Sequence, residues 1–153
     1  MYAFGKRSRD NLDTCHKDII AICEELIKFY DFSVIEGLRT QERQQQLFRE
    51  GKTKIDGVTK KGRHQGEVHN GKLVSMAVDI IPYKKGTNPF DNNEKERARF
   101  YFMMGAVAAI AERLFDEGKI THKVRFGLDW AGTHVYTDNS FDDLPHFELV
   151  QVK

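Results

Sequence analysis

Residues 93 to 118, "NEKERARFYFMMGAVAAIAERLFDEG", can hardly be anything but one long helix, and they constrain the rest of the chain most. Asn93 is placed to cap it, Glu94 and Glu96 put acids in its first turn, and Gly118 ends it. Its middle is apolar nearly all round, and a helix apolar on every side has to be covered on every side. The remaining segments are therefore expected to wrap it as the central buried helix. At 153 residues one domain spanning 1–153 is expected, large enough to bury about 70% of its extended-chain surface.

The covering segments follow from their periodicities. In "NLDTCHKDIIAICEELIKFY", Leu12, Cys15, Ile19, Ile22, Cys23, Leu26 and Tyr30 recur at three- and four-residue steps, which predicts one amphipathic helix with Ser8 as its cap. "FSVIEGL" reads as a short strand, and "TQERQQQLFREG" as a polar helix closed by Gly51. Residues 51 to 73 carry Gly and Lys without periodicity and read as a long loop, a length usually functional when it occurs in a compact domain. "VSMAVDIIPY" is the clearest strand, and "KVRFGLDW" and "HFELV" complete a small sheet. Helices early and strands late give an α+β fold: a small antiparallel sheet packed against three helices.

Charge excludes some partners. The 24 basic and 23 acidic side chains leave a net charge of +1, so no overall field draws the chain to nucleic acid. Lysines and arginines do gather from Lys52 to Arg63, but no aromatic residues interleave with them as a single-strand binder would require. No stretch reaches the ~18 apolar residues of a membrane span, and "MYAFGKRSRD" lacks the apolar region of a signal peptide. Cys15 and Cys23, eight residues apart on one predicted helix, stand too far apart to bridge and are expected as reduced core thiols.

Some polar residues have no place in a core. Asp79 lies in the middle of the best strand, on the face of small Ala77 and of Ile81, where a carboxylate is costly unless paired or metal-bound. In a strand starting near Pro145, His146 and Glu148 face one way, while Phe147 and Leu149 face the other. Two strands of one sheet thus each present a metal-capable side chain. A histidine of the preceding loop, His64 or His69, would complete a two-His, one-carboxylate set with an open fourth position, the form of a catalytic zinc site. Asp143, across a Leu-Pro turn from His146, is placed to serve as its base. The plainer reading is a surface histidine, a strand aspartate bonded to backbone, and a polar patch. His16 and His122 are expected on a helix face and in a turn, with no polar company, and His134 in a loop.

At these residues the sequence resembles a known family. "GRHQ…SMAVDIIPY…FDDLPHFEL" is similar to the zinc D,D-carboxypeptidase-like peptidases of bacterial cell-wall peptides, which include the L-alanyl-D-glutamate endopeptidases of phage lysins. The likeness extends to "SRDNLDTCHKDI", "DFSVIEGLRTQERQQQLFREGKTK", "FYFMMGAVAAIAERL" and "RFGLDWAGT", and so to nearly the whole chain. It implies His64, Asp79 and His146 as ligands of Zn2+, Asp143 as general base, and Arg39 as the fixed cation that stabilises the scissile carbonyl. Gln44 and Trp130 have a weaker claim to substrate contact, as does Arg43, and Asp129 is a possible groove wall. Glu148 is the rival base, and Asp142 is expected to face water.

The sequence departs from the family pattern twice. Gly62 stands where the family has serine. His64 and Asp79 are 15 residues apart rather than the family's seven, so the interval holds an eight-residue insertion containing His69. The match of "GVTKKGRHQ" to the approach of the first ligand favours His64 over His69. The resemblance implies a monomeric peptidoglycan hydrolase of the endolysin type, held in the host cytoplasm until lysis, that cuts the stem peptide between L-Ala and D-Glu. The alternatives are a D,D-carboxypeptidase or dipeptidase on the same site, or a non-catalytic cell-wall-binding zinc module.

Overall fold

The computed structural model describes residues 1–134 and 142–152. Helices α1 (Lys6–Leu12), α2 (Lys17–Leu26), α3 (Gln41–Arg49) and α4 (Glu94–Asp116) accompany strands β1 (Phe32–Glu36), β2 (Glu67–His69), β3 (Lys72–Val74), β4 (Ala77–Pro82), β5 (Lys123–Phe126) and β6 (His146–Val150). Four strands make one antiparallel sheet in the order β1-β4-β6-β5, and β2 and β3 form a separate hairpin. The α+β class is as expected, with four α-helices among the described residues in place of three.

The extra helix comes from a break in the first one. The chain straightens at Thr14–Cys15 to pair with the approach to β4: Ser75 N–H donates to Thr14 O (2.9 Å) and His16 N–H to Ser75 O (2.9 Å). His16 then starts α2 as its cap, its Nδ1 accepting from Asp18 N–H. Ser8 caps nothing; it sits inside α1, and its hydroxyl accepts from Val34 N–H (3.0 Å), tying α1 to β1. The three- and four-residue spacing correctly gave which side chains point inward, since Leu12, Cys15, Ile19, Ile22, Cys23 and Leu26 are all buried. It could not show that the backbone between two of them is extended.

Helix α4 is less central than its composition suggests. Phe100, Met103, Met104, Val107, Ile110, Ala111 and Leu114 are buried, but Phe102 is 68% exposed and Gly105 and Ala109 also face outward. The helix packs on α2 and one face of the sheet, and the small residues of its outer stripe made it look uniformly apolar. Against it lie Val78 and Ile80 of β4 and Phe147 and Leu149 of β6. The alternate residues of those strands, Ala77 and Asp79, His146 and Glu148, point to the opposite face.

The long loop has more structure than its composition predicts. It contains a 3-10 turn at Arg63–Gln65 and then the β2–β3 hairpin, whose turn residues Asn70 and Gly71 both have positive φ, the Asn-Gly signature of a tight hairpin. Its earlier part is held by buried Gln44, which donates to Ile55 O (2.8 Å), and by Gln65, which donates to Gly57 O (3.0 Å). Among the described residues, no helix is long and apolar enough to cross a membrane.

Both cysteines are free and buried. Burial pushes the Cys15 thiol up to about 12 and Cys23 well above its usual value, so neither forms thiolate near neutral pH. Iodoacetamide should leave the native protein unmodified over hours and label both thiols in urea, as read by intact mass; fast native labelling of Cys15 would contradict this packing.

Candidate active site

The sheet register brings the first two donors together. Asp79 on β4 is directly opposite His146 on β6, with Glu36 of β1 on the other side of Asp79. The third donor, His64, comes from the 3-10 turn, fastened between two elements: Arg39 N–H donates to His64 O (2.7 Å) and Met76 N–H to Arg63 O (3.1 Å). Gly66 ends that turn at φ +81°, where a Cβ would meet Val74 O, so the chain can reverse there only as glycine.

The three donor atoms form a nearly equilateral triangle. His64 Nε2 is 3.2 Å from Asp79 Oδ1 and 3.2 Å from His146 Nδ1, and His146 Nδ1 is 3.3 Å from Asp79 Oδ1. The outer partners orient both rings: His64 Nδ1 faces Gly37 O (2.8 Å) and His146 Nε2 faces Glu148 Oε1 (2.9 Å). A carbonyl and a carboxylate only accept, so those nitrogens carry protons, and a metal between the rings would meet the other nitrogen of each. Three electron-rich atoms at this spacing repel one another unless a cation lies between them. Metal bonds of about 2.0–2.1 Å in tetrahedral geometry put ligand atoms about 3.3 Å apart, so the residues fit a zinc-sized ion.

The electrostatics agree. Burial alone would lower the basicity of His146, but hydrogen bonds to Asp79 and Glu148 outweigh it and raise its pKa to about 9. Without a metal, a proton fills the gap between His146 and Asp79. Burial alone would raise the Asp79 carboxyl, yet the two imidazoles hold it well below the usual carboxylate range. Metal and proton thus compete for this triangle, and acid should expel the metal.

Glu148 is therefore engaged at the back of His146, not free as a base. Its Oε2 accepts from Arg125 Nη2 (3.0 Å), and Arg63 Nε lies 3.7 Å away. Asp143 stands on the open side, its Oδ2 4.0 Å from His146 Nδ1. Burial and the nearby Asp79 charge raise its pKa, as suits a proton acceptor. A tight turn places it: Asp143 N–H donates to Gly127 O (2.9 Å), Gly127 N–H to His146 O (2.8 Å) and His146 N–H to Asp143 O (3.1 Å). A side chain at Gly127 would collide with Asp143.

Arg39 borders the same space. Glu36 grips it bidentately, Nε to Oε1 at 2.9 Å and Nη2 to Oε2 at 2.7 Å, and its Nη1 donates to Gln44 Oε1 (2.9 Å). Three of five N–H groups are so used; two remain, and Nη2 is 3.7 Å from Asp79 Oδ2. Gln44, expected to contact substrate, lines the groove but is 1% exposed, and its amide spans Arg39 and Ile55. Trp130 does wall the groove, its ring 5.3 Å from that of His146. Asp129 does not; it is buried and accepts from Thr133 and His134 N–H groups. Asp142, expected in water, is partly buried against Arg97 (3.1 Å). Arg39, Trp130, Asp143 and the three donors line a groove of about 480 Å³ that also touches Gly51 to Ile55. The hairpin is not among its walls, so His69 lies elsewhere.

Glu36 is marked in the sequence only as a single acid at a strand end, three residues before Arg39. Its value lies in the fork it makes, visible only once both are placed.

The family model described as phage L-alanyl-D-glutamate peptidase matches residues 1–150. The L-alanyl-D-glutamate peptidase of Escherichia phage T5 is 26% identical over 155 residues, covering 97% of this chain and 98% of that protein. Among solved structures, the Serratia marcescens L-Ala D-Glu endopeptidase ChiX superposes with a TM-score of 0.60 at 26% identity, over 96% of this chain and 89% of that one.

The geometry separates the two loop histidines. His64→Ala and His146→Ala should each weaken the ion of the triangle by at least about tenfold, read as the loss of one zinc per chain after dialysis, while His69→Ala should leave that ion in place. Zinc unchanged in both of the first two variants would refute the ligand set.

Proposed function

The chain belongs to the phage L-alanyl-D-glutamate peptidase family, and on that premise we propose that His64, Asp79 and His146 hold the zinc with which it opens the peptidoglycan stem peptide. It is a peptidoglycan endopeptidase. The observation that carries the metal assignment is the triangle of three donor atoms 3.2–3.3 Å apart that lines the groove. A zinc ion there would polarise the scissile carbonyl and bring the pKa of water down toward about 7.

The chain's own residues do the rest. Asp143, held over the open side, takes the proton of the attacking water and delivers it to the leaving amine, a role worth roughly 10²–10⁴ in rate. Arg39 directs its two remaining N–H groups at the oxygen on which negative charge develops, already oriented by Glu36 and Gln44. Glu148 keeps the His146 proton on Nε2. Trp130 and Gly51 to Ile55 line the groove. We read residues 1–153 as a single catalytic domain acting as a monomer, which waits in the host cytoplasm and reaches the wall once the membrane has been opened by another agent.

Digestion of purified peptidoglycan followed by mass spectrometry should show new L-Ala carboxyl and D-Glu amino ends and no new reducing sugar ends. Release of free D-Ala with the L-Ala–D-Glu bond intact would instead establish a carboxypeptidase. In the same assay Asp143→Asn should lose roughly 10²-fold or more in rate with zinc content near normal, and near-wild-type activity would move the base elsewhere. Arg39→Lys should also slow cleavage, since an ammonium cannot reproduce the planar fork by which Glu36 and Gln44 orient the guanidinium toward substrate.

A further inference from the structure

A second group of donors lies away from the groove. His16, Asp18 and His122 are all buried, and one ligand atom from each falls within 4.8 Å of the others. We infer that this cluster is a second metal site, which takes one divalent transition ion of the zinc, cobalt or nickel type and fastens the fold rather than cutting substrate.

The donor set selects that class of ion. Two imidazoles and one carboxylate suit zinc and its neighbours, whereas magnesium and calcium prefer oxygen alone. The ligands come from separate parts of the chain: His16 and Asp18 from the start of α2, and His122 from the segment that leads into β5. Asp18 is 1% exposed, and among the described residues no lysine or arginine pairs with it. Without a metal its Oδ2 is satisfied by donors alone, His122 Nδ1 at 2.9 Å and the N–H groups of Thr121 (3.0 Å) and His122 (3.2 Å).

A fourth donor is at hand. The ring of His69, on β2, meets that of His16 edge to face at 4.6 Å and lies 6.4 Å from that of His122. Its side chain is 33% exposed, and its Nε2 faces Glu67 at 3.3 Å. His69 stands outside the group of three whose ligand atoms lie within 4.8 Å of one another, so it is the member that would have to turn inward from Glu67 to close the set at four, the form of a structural site. On binding, the ion displaces the Nδ1 proton of His122 to solvent and takes the place of the Asp18 N–H on His16 Nδ1. The inserted hairpin β2–β3 would then be pinned to α2 and β5, which gives the insertion a structural purpose independent of the groove.

The test counts ions on the untagged full-length chain after equilibrium dialysis against Zn2+, with Co2+ absorption as a second readout. Two ions per chain are expected. His146→Ala should keep one, and its thermal midpoint should still rise with added Zn2+. His16→Asn also should keep one, the other, with hydrolysis retained; asparagine still caps α2 but removes the nitrogen ligand. His69→Ala should weaken the second ion at least tenfold. A single ion that disappears in His146→Ala and survives in His16→Asn would overturn the second site and leave the catalytic one standing. A single ion with the reverse behaviour would uphold the second site and sink the catalytic assignment.

Discussion

The pairing of β4 with β6 is the contact on which everything else depends. Its register sets Val78 against Phe147 on one face and Asp79 against His146 on the other. A slip of one residue would turn the carboxylate and the imidazole into the core and the phenyl ring into the groove. The apolar face, locked under α2 and α4, therefore fixes the register, and the register fixes the two donors. Core packing and site geometry are the same constraint seen from opposite sides of one sheet.

Around those donors the chain places charges in opposition. Glu36, Asp79, Asp143 and Glu148 crowd a small volume, and Arg39, Arg63 and Arg125 are set around them. Each acid is given a different task by its partner. Glu36 spends its charge on Arg39, Glu148 on His146 and Arg125, and Asp79 faces the two imidazoles. Asp143 alone among the four has no arginine within 4.0 Å among the described residues, and burial with the nearby Asp79 charge raises its pKa. That difference in company, rather than any difference in side-chain chemistry, separates the proton acceptor from the acids that position.

Much of this was legible in the residues. An aspartate in an apolar strand and a histidine on the polar side of another are costly, and that cost pointed to the site before any fold was known. The break before α2 was not legible, because helical spacing and a turn toward Ser75 bury the same side chains. The hairpin was legible in principle: Asn70-Gly71 between Val68 and Leu73 is a strong turn signal, obscured by the charged residues around it. His16, His69 and His122 were the least legible. They lie far apart in sequence, and what unites them with Asp18 is a tertiary contact that no spacing encodes. The burial of Gln44 was not legible either, since a polar residue on a polar helix gives no hint of it.

The central claim is that the triangle of His64, Asp79 and His146 holds the metal of an active peptidase. Anomalous diffraction at the zinc edge, on crystals of protein shown to cleave peptidoglycan, tests it most directly. The account predicts a peak within bonding distance of His64 Nε2, Asp79 Oδ1 and His146 Nδ1. An active enzyme with no anomalous density between those three atoms would contradict it.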